Sequence, residues 1–214
     1  MLNPKIIDGA ILNKSIPLNQ VIEILERWDR LRLNGVCIPS SWSYIDPIRI
    51  KLELMNHNSD VDIIPVIGYP NGDTTISSKI AEIVDNYGFA TTLDVVLNAS
   101  YIRMNMYDMV RKEILEILMH AATHIRWIIE TPILTKVEIE NVVGIILDHN
   151  GDIKTATGTK GPTEVQDVKL IKSVVGNQRL IKVSGGISDK DKAHIMINAG
   201  ASIIGTSNPE ALLS

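Results

Sequence analysis

The sequence predicts an α/β protein: a single-domain (β/α)8 barrel of the TIM type. Short β-branched runs alternate with amphipathic stretches along the whole chain, about eight such units can be counted, and no Pro/Gly/Ser-rich linker or charge block divides them. Strands alternating with helices are parallel strands joined by right-handed crossovers, and eight units satisfy a closed barrel better than an open sheet. The 214 residues, read as one domain over 1–214, fall near the lower end of the roughly 200 to 400 typical of that fold. An open doubly wound sheet is the alternative. Against it, no GxGxxG follows the first strand, and the next segment, NKSIPL, has no glycine.

Element by element, Ile6 to Leu12 reads as the first strand, and Leu18, Val21, Ile22, Leu25 and Trp28 recur at helical spacing after it. Gly35 to Ile38, Asp62 to Gly68 and Ala90 to Leu97 read as the next three strands. Val110, Ile114, Ile117, Leu118 and Ala121 mark a helix before a fifth strand, Ile125 to Thr131. Asp152 to Thr155, Arg179 to Ser184 and Ile203 to Thr206 complete the set. Ser188 is placed to cap the helix in DKDKAHIMINAG, with Asp191 as an imperfect capping box and Gly200 ending it in a left-handed turn.

Composition narrows the function. A formal net charge of −4 gives no footprint for a phosphate polymer, so nucleic-acid binding is not expected and the partners are small molecules. One cysteine, Cys37, cannot close an internal disulfide. The start, MLNPKIIDGAILN, lacks the basic and apolar segments of a signal peptide, and apolar runs such as Val142 to Leu147 are far short of a membrane span. A cytoplasmic enzyme is expected. Apolar positions on outer helices leave a homo-oligomer open.

Charged residues occupy strand positions where a barrel interior is apolar. Asp94 sits between Leu93 and Val95, Lys154 between Ile153 and Thr155, and Lys182 between Ile181 and Val183. If the apolar flanks face the helices, the period of two turns all three charges inward. Burying two ammonium groups needs a partner for each, and Asp94 can formally neutralise one. The structural account is that the lysines snorkel to solvent or that one pairs with Asp94. The functional account is a Schiff-base enzyme acting on a carbonyl compound. A lysine is nucleophilic only when neutral, and a neighbouring cation with partial desolvation lowers its pKa. Asp94 is then the proton carrier.

A phosphate site is expected beside them. The seventh strand ends in SGGI and the eighth in GTSN, just before a short last helix. Barrels often bind phosphate between those two loops and the N-terminus of such a helix. Gly185, Gly186, Gly205 and Ser207 fit; a tight turn capped by Ser188 is the structural alternative for the glycine pair.

At these residues the sequence resembles the deoxyribose-phosphate aldolase family, class I aldolases on a (β/α)8 barrel. The similarity runs from about Ile6 to Asn208 through IIDGAIL, GVCIPSSW, PVIGYPNGDTT, TLDVVLN, IIETPILT, DIKTATGT, IKVSGGI and AGASIIGTS, in the family's order. DIKTATGT with IKVSGGI is the specific part. The resemblance implies that Lys154 forms the Schiff base, that Lys182 tunes it and that Asp94 takes part in proton transfer. It implies that Thr157, Gly185, Gly186 and Ser207 line the sugar-phosphate site. It further implies reversible cleavage of 2-deoxy-D-ribose 5-phosphate to D-glyceraldehyde 3-phosphate and acetaldehyde, with no metal and no cofactor. Departures bear on the substrate. Where the family's first strand reads like IDHTLLK, this chain has Gly9, Ala10 and Asn13; Ala156 stands for a serine, Pro132 for a common cysteine and Asn208 for a second serine, and Thr159 precedes Lys160. No tail beyond Ser214 is expected over the barrel mouth. Another small phosphorylated sugar as substrate, or a catalytically silent sugar-phosphate-binding barrel, are the alternatives.

Other features read as structural. His120 and His124 lie four apart but lack a carboxylate at ligand spacing, so a histidine at a helix C-terminus is favoured over a metal site. Cys37 reads as a buried apolar thiol, Lys79, Lys169 and Lys172 as solvated helix residues, and Trp28, Trp42 and Trp127 as packing residues.

Overall fold

The computed structural model describes residues 2–12 and 15–214; the departure read at Asn13 lies outside them. Eight strands pair in parallel and close a barrel in chain order: β1 (Ile7–Ala10), β2 (Gly35–Pro39), β3 (Asp62–Ile67), β4 (Thr92–Val96), β5 (His124–Ile128), β6 (Asp152–Lys154), β7 (Ile181–Val183) and β8 (Ile203–Thr206), with β8 returning to β1. Around it, among the described residues, lie α1 (Leu18–Leu31), α2 (Asp46–Ser59), α3 (Ile76–Asp85), α4 (Ala99–Arg103), α5 (Tyr107–His120), α6 (Lys136–Leu147), α7 (Val165–Val175), α8 (Lys190–Ala199) and α9 (Pro209–Leu213). The eight-strand barrel read from the sequence is the one observed.

The helices form where local chemistry favours them. In α1, Val21, Leu25 and Trp28 make one buried stripe, and Arg32 ends the helix in the left-handed region at φ 52°. In α6, Thr135 and Glu138 form a complete capping box. At α8 the expectation is corrected: Asp189, not Ser188, is the N-cap, its carboxylate accepting from the Lys192 N–H, while Ser188 donates its hydroxyl to Asp189. Gly200 does end α8 with positive φ. The fifth strand stops at Ile128, short of Thr131, because Glu130 is left-handed at φ 64° and Pro132 opens a 3-10 turn.

Apolar side chains divide into two clusters. A large one, including Leu25, Trp28, Ile114, Trp127 and Ile171, fills the layer between strands and helices. A small one, Cys37, Ile64, Val66, Val96 and Ile128, occupies part of the barrel interior, on β2 to β5. The remaining interior is polar, and it holds the site. Lys79 corrects the reading of it as solvated: it is fully buried and paired with Glu113 of α5, with its ammonium also bonded to the Gly72 and Val96 carbonyls. Helical spacing shows which face a lysine shares but not whether a buried acid waits opposite it. No helix among the described residues is long and apolar enough to cross a membrane.

Candidate active site

Parallel register carries the three predicted charges to one point. Asp94 lies opposite Arg126 in the β4/β5 ladder, and Lys154 opposite Lys182 in the β6/β7 ladder. All three point inward, as their apolar flanks require, and all are buried. Lys154 Nζ donates to Asp94 Oδ2 at 2.8 Å, and Lys182 Nζ donates to the same oxygen at 2.8 Å.

The partner that charge counting demanded is Asp8. Its carboxylate meets Lys182 Nζ at 2.6 Å and accepts from Asn34 Nδ2 at 2.7 Å. A third cation joins them: Arg126 donates Nε to Asp94 Oδ1 at 2.8 Å and Nη1 to Asp8 Oδ2 at 3.0 Å. Neither residue was singled out from the sequence. The signal was present, because Arg126 sits between Ile125 and Trp127 in HIRWI, the same alternation that revealed the other charges. Cys37, buried as expected in the small apolar cluster, also borders the site: its Sγ lies 3.1 Å from Lys182 Nζ and 3.7 Å from Asp94 Oδ2.

Electrostatics fix most of the charge states. Burial alone would push the Asp94 carboxyl up, but Arg126, Lys154 and Lys182 outweigh it and hold it well below the usual range. Burial opposes ionisation of Asp8 too, and Lys182 and Arg126 again prevail, holding it low. Burial and the Arg126 cation press on the Lys182 ammonium, yet Asp8 and Asp94 outweigh both and keep its pKa above the ordinary value. The guanidinium of Arg126 is held charged against its own burial by the same two carboxylates. Burial pushes the Cys37 thiol up, so it stays neutral.

Above this cluster, at the C-terminal ends of the strands, opens a cavity of about 630 Å³. Lys154, Thr157, Lys182, Gly185, Gly186, Gly205 and Ser207 all line it, while Asp94 lies beneath them. Gly185 and Gly186 have φ of 96° and 76°, a region that disfavours any side chain. Gly205 makes room for the cluster itself: a Cβ there would sit 3.3 Å from Lys182 Cε and 2.9 Å from Ser184 Cβ. Thr157 is held by Glu130, which accepts from its N–H at 3.1 Å and its hydroxyl at 2.7 Å. The N-terminus of α9 is capped by its own Asn208, which accepts from the Ala211 N–H, and Ser207 of the same loop lies on the cavity wall. Towards β1 the wall is apolar, with Ala10, Ile11, Leu12 and Trp28. Trp28 thus faces the cavity as well as packing, and a Cβ on Gly9 would collide with its ring at 2.4 Å. His120 ends α5, its Nδ1 against the Glu116 carbonyl, and His124 opens β5 against Asp152 at 2.8 Å. Among the described residues no group of His, Cys, Asp or Glu is placed to hold a metal ion.

A closed parallel barrel with amines and carboxylates gathered under a cavity at its C-terminal mouth defines the class, that of the (β/α)8-barrel aldolases. Comparison with known proteins agrees with that class and narrows it. No family model matches the chain. The deoxyribose-phosphate aldolase of Aquifex aeolicus is 35% identical over 209 residues, covering 95% of this chain and 91% of that protein. A solved structure described as QR15, an aldolase, superimposes with a TM-score of 0.88 at 32% identity, covering 98% of this chain and 93% of that one. The deoxyribose phosphate aldolase of Aeropyrum pernix, described as having a unique tetrameric structure, shares the fold with a TM-score of 0.85 at 23% identity, covering 98% of this chain and 88% of that one. The chain belongs to the deoxyribose-phosphate aldolase family.

Proposed function

We propose that the chain is a class I aldolase that reversibly cleaves 2-deoxy-D-ribose 5-phosphate to D-glyceraldehyde 3-phosphate and acetaldehyde. The observation that carries this reading is the Lys154 amine on the cavity wall, bonded to a carboxylate that also holds a second lysine. Lys154 Nζ adds to the C1 aldehyde of the open-chain sugar, and Asp94 shuttles the protons that let the carbinolamine lose water. The resulting iminium accepts the electron pair of the C2–C3 bond as it breaks. The C3 hydroxyl gives up its proton and leaves as the aldehyde of glyceraldehyde 3-phosphate. The enamine left on Lys154 is protonated at C2, and water hydrolyses the iminium to release acetaldehyde and the free amine. Lys182, locked between two carboxylates, keeps a fixed positive charge beside the reacting nitrogen. Gly185, Gly186, Gly205 and Ser207 take the sugar phosphate, with N–H and hydroxyl donors meeting its oxygens, and Thr157, whose own N–H and hydroxyl donate to Glu130, shapes the wall beside them.

The apolar wall of Ala10, Ile11, Leu12 and Trp28 favours a second reading of the substrate alone: the same chemistry on another small phosphorylated sugar or hydroxyaldehyde. Turnover on 2-deoxy-D-ribose 5-phosphate against a panel of sugar phosphates, read by aldehyde release, tests the choice. The deoxy sugar is expected to give the highest kcat/KM, and a preference of tenfold or more for another member, about 1.4 kcal/mol in transition-state binding, would overturn it. This reading treats residues 1–214 as one catalytic domain working in the cytoplasm. A reducing compartment suits its single buried thiol beside Lys182.

A further inference from the structure

The cavity wall has two chemically different halves. Lys154, Thr157, Lys182, Ser184, Ser207 and the glycine loops form the half contributed by β6, β7, β8 and the segments after them. From β1 to the loop after β3, the described residues on the wall are apolar except for Trp28, Cys37 and Tyr69. Trp28 keeps its indole N–H buried, and the Cys37 thiol lies against Lys182 and Asp94. Among the described residues, Tyr69 supplies the one hydroxyl of that half.

Tyr69 lies two residues beyond β3, half-buried, and packs on the small interior cluster that includes Val66, Val96 and Ile128. Its loop is pinned from three sides. Glu82 accepts from the Gly68 N–H at 3.1 Å, the Gly72 N–H donates to the Gly68 carbonyl at 2.8 Å, and the buried Lys79 ammonium donates to the Gly72 carbonyl at 2.6 Å. The ring thus enters the cavity from a rigid base. Burial and the Glu130 carboxylate push the phenol up, so it stays neutral and both donates and accepts. Among the described residues its hydroxyl makes no hydrogen bond.

Glu130 sets the height of the ring. Ile128 is in register with Lys154, and Glu130, two residues nearer the mouth, binds Thr157, which lies three residues beyond Lys154. A phenol that feels the Glu130 charge stands above the reacting nitrogen rather than beside it. In the closed ring of eight strands β3 is four strands from β7, so Tyr69 faces the Gly185 and Gly186 loop across the mouth. A sugar held at C1 by Lys154 and at its 5-phosphate by the loops after β7 and β8 spans that gap. C2 carries no hydroxyl, and the C3 hydroxyl has to face the carboxylate floor to give up its proton. The C4 hydroxyl is the group left for the wall.

We propose that Tyr69 is a specificity-determining residue whose hydroxyl bonds the C4 hydroxyl of the sugar, the group that becomes the C2 hydroxyl of the released aldehyde. The assignment rests on the reading of the chain as a Schiff-base aldolase with Lys154 as nucleophile.

Condensation of acetaldehyde with D-glyceraldehyde 3-phosphate, compared with 3-phosphooxypropanal, which lacks only the 2-hydroxyl, tests it. With either acceptor the enamine on Lys154 attacks the carbonyl carbon, the C2–C3 bond forms and the carbonyl oxygen takes up a proton, so only the hydroxyl contact differs. One hydrogen bond between uncharged groups predicts that Tyr69→Phe lowers kcat/KM for D-glyceraldehyde 3-phosphate about three- to tenfold and leaves that for 3-phosphooxypropanal within about twofold. The melting temperature should stay that of the wild type, since no described residue loses a partner. Equal loss on both acceptors, or loss on neither, overturns the assignment. So does a wild-type chain that uses the two acceptors equally well, a result that needs no variant. A wild-type chain that forms no borohydride-stable adduct on Lys154 with acetaldehyde sinks the aldolase reading, and this assignment with it. An adduct on Lys154 together with an acceptor preference unaltered in Tyr69→Phe sinks the assignment alone.

Discussion

Replacing Asp94 by asparagine removes the one side chain that touches every cation of the site. Its Oδ2 holds Lys154 and Lys182, each at 2.8 Å, and its Oδ1 holds Arg126 at 2.8 Å. The substitution keeps the shape and deletes the charge, leaving Asp8 to face three cations. Breaking a buried ion pair costs about 3 to 5 kcal/mol; asparagine retains an acceptor and the lysines can shed protons, so the lower end is expected. For a chain of 150 to 250 residues that is a fall in melting temperature of roughly 6 to 12 °C. Loss of carboxylate proton transfer is expected to lower kcat/KM by about 10² to 10⁴. The amine of Lys154, freed of its anion, should still add to an aldehyde. The assay is therefore double: kcat/KM for 2-deoxy-D-ribose 5-phosphate beside borohydride trapping of the adduct on Lys154. Slow turnover with a trappable adduct is the expected result. A folded Asp94→Asn enzyme within about fivefold of wild type, far short of the roughly 10²-fold minimum for a lost acid–base group, would refute the proton-carrier role.

Gly205→Ala puts a methyl group 3.3 Å from Lys182 Cε and 2.9 Å from Ser184 Cβ. It should cost about 1 to 3 kcal/mol of stability and, by shifting Lys182, up to about 10²-fold in kcat, measured by denaturant melts and steady-state kinetics on one preparation. Lys79→Met strands the Glu113 carboxylate in the core, so a loss of about 3 to 5 kcal/mol is expected in urea unfolding, and Lys79→Met with Glu113→Leu should recover part of it. The folded pKa values of Asp8 and Asp94 are depressed, so their stabilisation is present above the unfolded value of about 3.9. It is lost as pH falls below that value toward the folded ones. Urea midpoints should therefore hold from pH 8 to about pH 5 and drop below about pH 4, with a shallower drop in Asp94→Asn.

Much of this site was legible because a barrel strand obeys a period of two. The alternation around Asp94, Lys154 and Lys182 needed no coordinates, and the same reasoning applied to Arg126 would have found the third cation. Asp8 was harder, since its neighbour Gly9 is no apolar flank; that glycine exists because the Trp28 ring fills the space a Cβ would take. The buried pair of Lys79 and Glu113 was not legible at all. One residue lies on α3 and the other on α5, and only the closed ring of helices brings those faces together. The cap at Asp189 rather than Ser188 turned on a shift of one residue, which composition alone does not resolve.

The central claim is that the Lys154 amine is the nucleophile of a Schiff-base aldolase. Sodium borohydride reduction in the presence of 2-deoxy-D-ribose 5-phosphate, read by intact mass and peptide mapping, tests it most directly. The expected result is one substrate-dependent adduct on Lys154, absent in Lys154→Ala, which should also lose all turnover. An adduct confined to Lys182, or wild-type cleavage by Lys154→Ala, would contradict it.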